Sequence, residues 1–190
     1  MKYGFQIDPV HTLNYDTDST LPMIYESQKR KNINFIFSPS SLTFKKNNLY
    51  AAVKEIKFKN NKLDNYSIAS EKILNLNSFN YIFIRQDPPY NMEYISSMHL
   101  LEQLNPKTKV INSPAGIRNA PEKILMLKFK DIIPPTLITR SRKEIDLFMS
   151  SCKRSVIKPL YGNGGQGIFL LDKKDKNYNQ IIEKFIDEDS

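Results

Sequence analysis

A chain of 190 residues can form one substantial core, or one domain and part of a second. Its 40% hydrophobic and 25% charged content fits an ordinary globular protein; no apolar run approaches the roughly 20 residues of a membrane span, and the single cysteine, Cys152, excludes an internal disulfide framework. The net charge of +8 invites a nucleic-acid reading, but the lysines are scattered, as in "FKKNNLYAAVKEIKFKNNKLD", which is compositional drift rather than a basic stripe.

The first strand is expected at Lys2 to Ile7, ending at Asp8-Pro9, and nothing in "MKYGFQID" resembles a signal peptide, so a cytoplasmic protein with no membrane or nucleic-acid partner is expected. A polar loop leads to a helix from about Pro22 to Lys31, capped by Ser19 or Thr20. Ile33 to Phe37 is a second strand, and the stretch around Asn47-Asn48 reads as a hairpin excursion. "YIFIR", 81 to 85, is a continuous apolar strand of the kind buried on both faces of a parallel sheet. Asn91 caps a helix to about Leu104, and "KVIN" is another short strand. This alternation predicts a parallel α/β sheet over residues 1 to about 112, with Asp8, Arg85, Asp87 and Asn112 at the carboxyl ends of strands, where ligands of such sheets bind.

A helical run to Phe129 follows, then a strand at Thr136 to Thr139 behind Pro134-Pro135. Ser141 and Glu144 form a capping box for a helix to about Ser151, and "SVIKP" and "GIFLLD" are strands flanking a glycine loop. An amphipathic helix from about Tyr178 to Ile186 closes the series. The change of pattern near residues 113 to 130 predicts a second domain of α+β character.

The loop "KPLYGNGGQG" satisfies G-x-G-x-x-G at Gly162, Gly164 and Gly167. A dinucleotide site needs a helix after that fingerprint, whereas here Ile168 to Leu171 read as a strand; no Gly-Lys-Ser/Thr follows either, which excludes a Walker A loop. What remains is a flap between two antiparallel strands whose backbone N–H groups can cover phosphate oxygens. Lys158 before it is expected to be buried and so to need an anionic partner, with a nucleotide phosphate as the natural candidate; a flexible hairpin with a snorkelling lysine is the alternative. His11 and His99 have no metal-like neighbours and read as incidental, and Cys152 as structural.

A lysine-bearing strand, a glycine flap and an upstream lysine resemble the ATP-grasp superfamily. More narrowly, "QIDPV" (6–10), "RQDPPYN" (85–91), "NSPAGIRNAPEK" (112–123), "PPTLITR" (134–140) and "IKPLYGNGGQGIF" (157–169) resemble the bacterial glutathione synthetase family, in the family's order and spacing over nearly the whole chain. The departures are Gln86 where the family usually has lysine, Asn91 for an acidic residue, and Pro121 between Asn119 and Glu122.

The resemblance implies an N-terminal α/β substrate domain over 1–122 and the first part of an ATP-grasp domain over 123–190, with ATP held between two antiparallel sheets. It implies ATP-driven ligation of γ-glutamylcysteine with glycine through an acyl phosphate. Lys123 and Lys158 would then contact ATP, and Gly162, Asn163, Gly164, Gly165 and Gly167 would close over its phosphates. Asp8, Arg85 and Asp87 would form the peptide-substrate side, with Asn112 and Arg118 near the junction; an i, i+4 pair of Arg118 with Glu122 is the competing reading for Arg118. No catalytic side chain or metal ligand is assigned; Mg2+ would be held by residues that the family carries further along, so the 190 residues are expected to bind ATP weakly and not to complete ligation alone. A homo-oligomer is implied for the full-length form. Another ATP-grasp carboxylate–amine ligase, or a non-catalytic nucleotide- or nucleic-acid-binding module, are the alternatives.

Overall fold

A computed structural model describes all residues except 15, 16, 61, 162, 163, 166 and 188–190. The chain forms two compact units, Met1–Ala120 and Pro121–Ser190. In the first, the elements run β1 (Lys2–Gln6), α1 (Thr20–Lys29), β2 (Ile33–Phe37), β3 (Thr43–Lys45), β4 (Asn48–Phe58), β5 (Tyr66–Ile68), β6 (Lys72–Asn75), β7 (Tyr81–Ile84), α2 (Met92–Leu101), β8 (Lys109–Ile111) and α3 (Pro114–Arg118).

Four strands form the parallel heart of the sheet in the order β2-β1-β7-β8. Their apolar residues point to both faces, as strands covered on both sides must. Phe5, Ile7 and Ile36 pack with Leu21 and Ile24 of α1, whereas Phe35, Phe37, Ile82 and Ile84 pack with Met98 and Leu101 of α2. The chain leaves β1 towards β2 and leaves β7 towards β8, in opposite directions, so the boundary between β1 and β7 is a topological switch point. A buried polar latch adds register: Ser27 Oγ of α1 donates to Asn34 Oδ1 of β2 at 2.6 Å, and Asn34 Nδ2 donates to the Ile24 carbonyl at 3.4 Å.

The hairpin expected near Asn47 is present, with Lys46 and Asn47 both at positive φ (48° and 58°), the two-residue turn that matches strand twist. It is no separate excursion, because β4 joins the main sheet antiparallel to β2 and carries β5 and β6 as well. The helix expected at Pro22 begins two residues earlier. Ser19 occupies the N-cap position without capping by its side chain, and Asp18 Oδ1 instead accepts the Thr20 N–H at 2.6 Å. Asn91 does cap α2, accepting the Tyr94 N–H at 2.9 Å, although that helix ends at Leu101 rather than Leu104.

The second unit contains α4 (Glu122–Leu125), a 3₁₀ turn (Met126–Phe129), α5 (Arg142–Ser151), β9 (Arg154–Ile157), β10 (Phe169–Asp172) and α6 (Tyr178–Asp187). Ser141 caps α5 by accepting the Glu144 N–H at 3.4 Å. The strands pair antiparallel with Val156 opposite Leu170. Met149, Leu171, Tyr178 and Ile182 form a small core, joined by Ile145, Ile157, Ile181 and Ile186. The other face of the pair is open: Val156 and Leu170 are 56% and 57% exposed. The strand expected at Thr136 to Thr139 does not form; that segment is irregular, because a strand needs a neighbour and the sheet of this unit consists of β9 and β10. No helix of the described residues is long and apolar enough to cross a membrane.

Candidate functional site

The parallel ladder continues past β7, with the Arg85 N–H donating to the Gln6 carbonyl at 2.8 Å, so the residues after β1 and β7 emerge side by side. There the Asp87 N–H donates to Asp8 Oδ2 at 2.7 Å. Gln6 is fully buried; its side-chain nitrogen donates to Gln86 Oε1, and its own Oε1 has no partner among the described residues. Arg85 reaches to the start of α1, where its guanidinium donates to Ser19 Oγ at 2.9 Å and to Thr20 Oγ1 at 3.2 Å. Asp8, Arg85 and Asp87 are thus brought together at the switch point.

Tyr94, on the first turn of α2, faces the same carboxylates. Burial pushes its phenol above the ordinary value, and Tyr90, Asp8 and Asp87 push it the same way. The Tyr90 ring lies 5.5 Å from that of Tyr94, and its hydroxyl donates to the carbonyl of Arg118. Arg118 pairs with Glu102 at 2.8 Å. The competing reading, an i, i+4 pair with Glu122, lacks its helix: α3 ends at Arg118 and Pro121 precedes a new one. Asn112 lies exposed just beyond edge strand β8 and makes no hydrogen bond to Asp8, Arg85 or Asp87 among the described residues.

In the second unit the glycine loop joins β9 to β10. Gly164, Gly165 and Gly167 have φ of 59°, 75° and 68°, a region that L side chains adopt at a cost. Space around Gly164 and Gly165 is open, whereas a Cβ on Gly167 would lie 3.3 Å from the Pro159 ring. Gly162 and Asn163 lie outside the described residues. Lys123 is half-buried in α4. Lys158 is exposed, which corrects the expectation of a buried lysine: the pleat puts it on the open face with Val156, because this two-stranded sheet is covered on one side only.

Arg142, Lys143, Asp146, Leu147, Ser150 and Lys173 line an open hollow of about 570 Å³ beside α5. Its polar groups are mutually engaged: Arg142 pairs with Asp146 at 3.0 Å, and Lys173 donates to Ser150 Oγ at 2.8 Å. Among the described residues no three His, Cys, Asp or Glu side chains converge, so the oxygen-rich set that a magnesium ion takes is not offered by them.

Ser19, Thr20, Gln6, Tyr90 and Tyr94 were not legible as site residues. The one usable cue was Gln6, a polar residue between the apolar Phe5 and Ile7.

The fold is shared with a solved synthetase. The solved structure of D-alanyl-alanine synthetase A from Vibrio cholerae O1 covers 97% of this chain and 55% of its own, with a TM-score of 0.51 at 14% identity, a likeness of fold alone. Residues 1–118 match the family described as prokaryotic glutathione synthetase, N-terminal domain, and residues 122–190 its ATP-grasp domain. The chain therefore belongs to the prokaryotic glutathione synthetase family. It is 39% identical to the glutathione synthetase of Agrobacterium fabrum, over 96% of this chain and 57% of that one. The figures for Mesorhizobium japonicum are 36%, over 97% and 59%, and for Synechococcus elongatus 33%, over 96% and 60%. The chain thus spans about three fifths of the length of these curated relatives.

Proposed function

We propose that these residues serve the ATP-dependent ligation of γ-glutamylcysteine with glycine, the first unit holding the dipeptide and the second gripping ATP, in the cytoplasm. The convergence of Asp8, Arg85 and Asp87 at the switch point carries the reading. A γ-glutamyl dipeptide is a zwitterion with carboxylates and one ammonium. Arg85 suits a carboxylate, and Asp8 with Asp87 suits the ammonium, so the cluster matches the charge pattern of that substrate rather than of a simple anion.

The chemistry needs positioning more than a nucleophilic side chain. A carboxylate is a poor electrophile, so its oxygen takes the γ-phosphoryl group of ATP and ADP departs. The amine of glycine then attacks the acyl carbon, phosphate leaves, and the amine gives up a proton. In the second unit Lys158, with Val156 and Leu170 on the open face, fits a nucleotide laid on the sheet. Gly164 and Gly165, with open space around them, suit a close approach of backbone N–H groups to phosphate oxygens, and Lys123 supplies a second cation. Asn112 and Arg118 are assigned to the dipeptide side by family resemblance. Magnesium, where present, would neutralise phosphate charge.

Calorimetric titration tests the reading. γ-Glutamylcysteine should bind the chain, with binding weakened in Arg85→Gln and Asp8→Asn, and ATP should bind with a dependence on Lys158. Binding of D-alanine in place of the dipeptide would instead favour a different carboxylate–amine ligase.

A further inference from the structure

The guanidinium of Arg85 is held by two neutral hydroxyls, Ser19 Oγ at 2.9 Å and Thr20 Oγ1 at 3.2 Å. Thr20 is fully buried, and its hydroxyl also lies 3.3 Å from Asp18 Oδ2. A hydroxyl carries one proton and two lone pairs, so Thr20 donates to Asp18 while accepting from Arg85. Ser19 stands at the N-cap of α1, where its hydroxyl would ordinarily accept a helix N–H. It caps nothing, and is turned to Arg85 instead. Among the described residues no carboxylate lies within ion-pair distance of that guanidinium.

We infer that Ser19 and Thr20 are positioning residues for Arg85, fixing the direction of its guanidinium without neutralising it, so that its remaining N–H groups meet a carboxylate of the acyl substrate. The inference rests on the reading of Arg85 as a substrate-binding residue. A carboxylate in place of the hydroxyls would compete with the ligand for the charge; an unheld arginine would lose more side-chain freedom on binding. Two neutral acceptors avoid both costs. Asp18 strengthens the arrangement from one hydroxyl away, since its negative charge orients the Thr20 proton and leaves a lone pair for Arg85 Nε.

The test is titration of the chain with γ-glutamylcysteine, and separately with inorganic phosphate, in five forms: wild type, Arg85→Gln, Thr20→Val, Thr20→Ser and Ser19→Ala. Thr20→Val and Ser19→Ala should each weaken dipeptide binding about three- to ten-fold, and Thr20→Ser should stay within about two-fold. With isotope-labelled arginine, the Arg85 Nε–H resonance should move in Thr20→Val and return in Thr20→Ser, a rescue that loss of packing would not give. Ser19 is exposed, so Ser19→Ala reports even if the buried Thr20→Val fails to fold. If Arg85→Gln weakens binding while Thr20→Val and Ser19→Ala bind like wild type, the positioning role is overturned and the substrate reading stands. If the dipeptide does not bind, or binds without regard to Arg85, both are overturned. Arg85-dependent binding of phosphate alone would assign the guanidinium to a phosphate and overturn the carboxylate.

Discussion

The backbone amide of Asp87 donates to the Asp8 carboxylate at 2.7 Å, tying the loop after β7 to the loop after β1 across the switch point. One oxygen of Asp8 thus organises backbone, which gives its replacements two distinguishable effects. Asp8→Asn keeps an acceptor for the Asp87 N–H and should leave the melting temperature nearly unchanged while weakening dipeptide binding. Asp8→Ala loses both and should also destabilise the first unit by about 1–3 kcal/mol. Thermal denaturation beside calorimetry separates the two.

Asn34 is almost fully buried and accepts from Ser27. Asn34→Ala leaves the Ser27 hydroxyl without its acceptor and opens a small void, and should cost about 1–3 kcal/mol in urea denaturation. Asn34→Ala with Ser27→Ala should cost less than the sum of the single changes, because the orphaned hydroxyl goes as well.

The glycine loop separates backbone strain from steric conflict. Gly164→Ala meets open space and should cost only the left-handed backbone penalty, about 1–2 kcal/mol. Gly167→Ala meets the Pro159 ring as well and should destabilise the second unit further. Lys158→Ala, at an exposed position, should leave stability unchanged and weaken ATP binding. A loop acting only as a hinge would leave ATP affinity intact in that variant.

Two carboxylates predict how the second unit responds to acid. Hydrogen bonding from Arg142 holds Asp146 below its ordinary range, and the Lys174 N–H followed by Arg154 does the same for Asp172. A carboxyl group whose pKa is depressed in the folded state stabilises fully above its unfolded pKa of about 3.9 and loses that contribution as pH falls through the folded value. Urea midpoints should therefore decline below about pH 4, and Asp146→Asn should flatten the decline. Both groups are partly exposed, so the effect should also shrink in high salt.

Much of the element list was legible. Tyr81–Ile84 is a short continuous apolar run, which only a doubly covered strand accommodates, Ile33–Phe37 is apolar except for Asn34, and the hairpin turn falls at Lys46-Asn47, one residue before the expected Asn47-Asn48. Ser19 and Thr20 were legible only as caps, because local hydrogen bonding is the use that neighbouring sequence reveals; Arg85 lies 65 and 66 residues further along. Burial of Lys158 was misread for a related reason. The pattern "SVIKP" says which residues alternate, not whether both faces of the sheet are covered.

The sequence by itself determined most of the strands and helices, though not β5, β6 or the irregular course of 136–139, together with the hairpin and the motifs of the family, since these depend on local periodicity, capping and chain stereochemistry. Only the tertiary structure decided that β1 lies between β2 and β7, that Asp8 meets Asp87, and that a threonine at the start of α1 holds Arg85. The physical reason is that strand order is set by which apolar faces α1 and α2 cover. The pairing of polar groups at the strand ends follows from that order, not from any spacing along the chain.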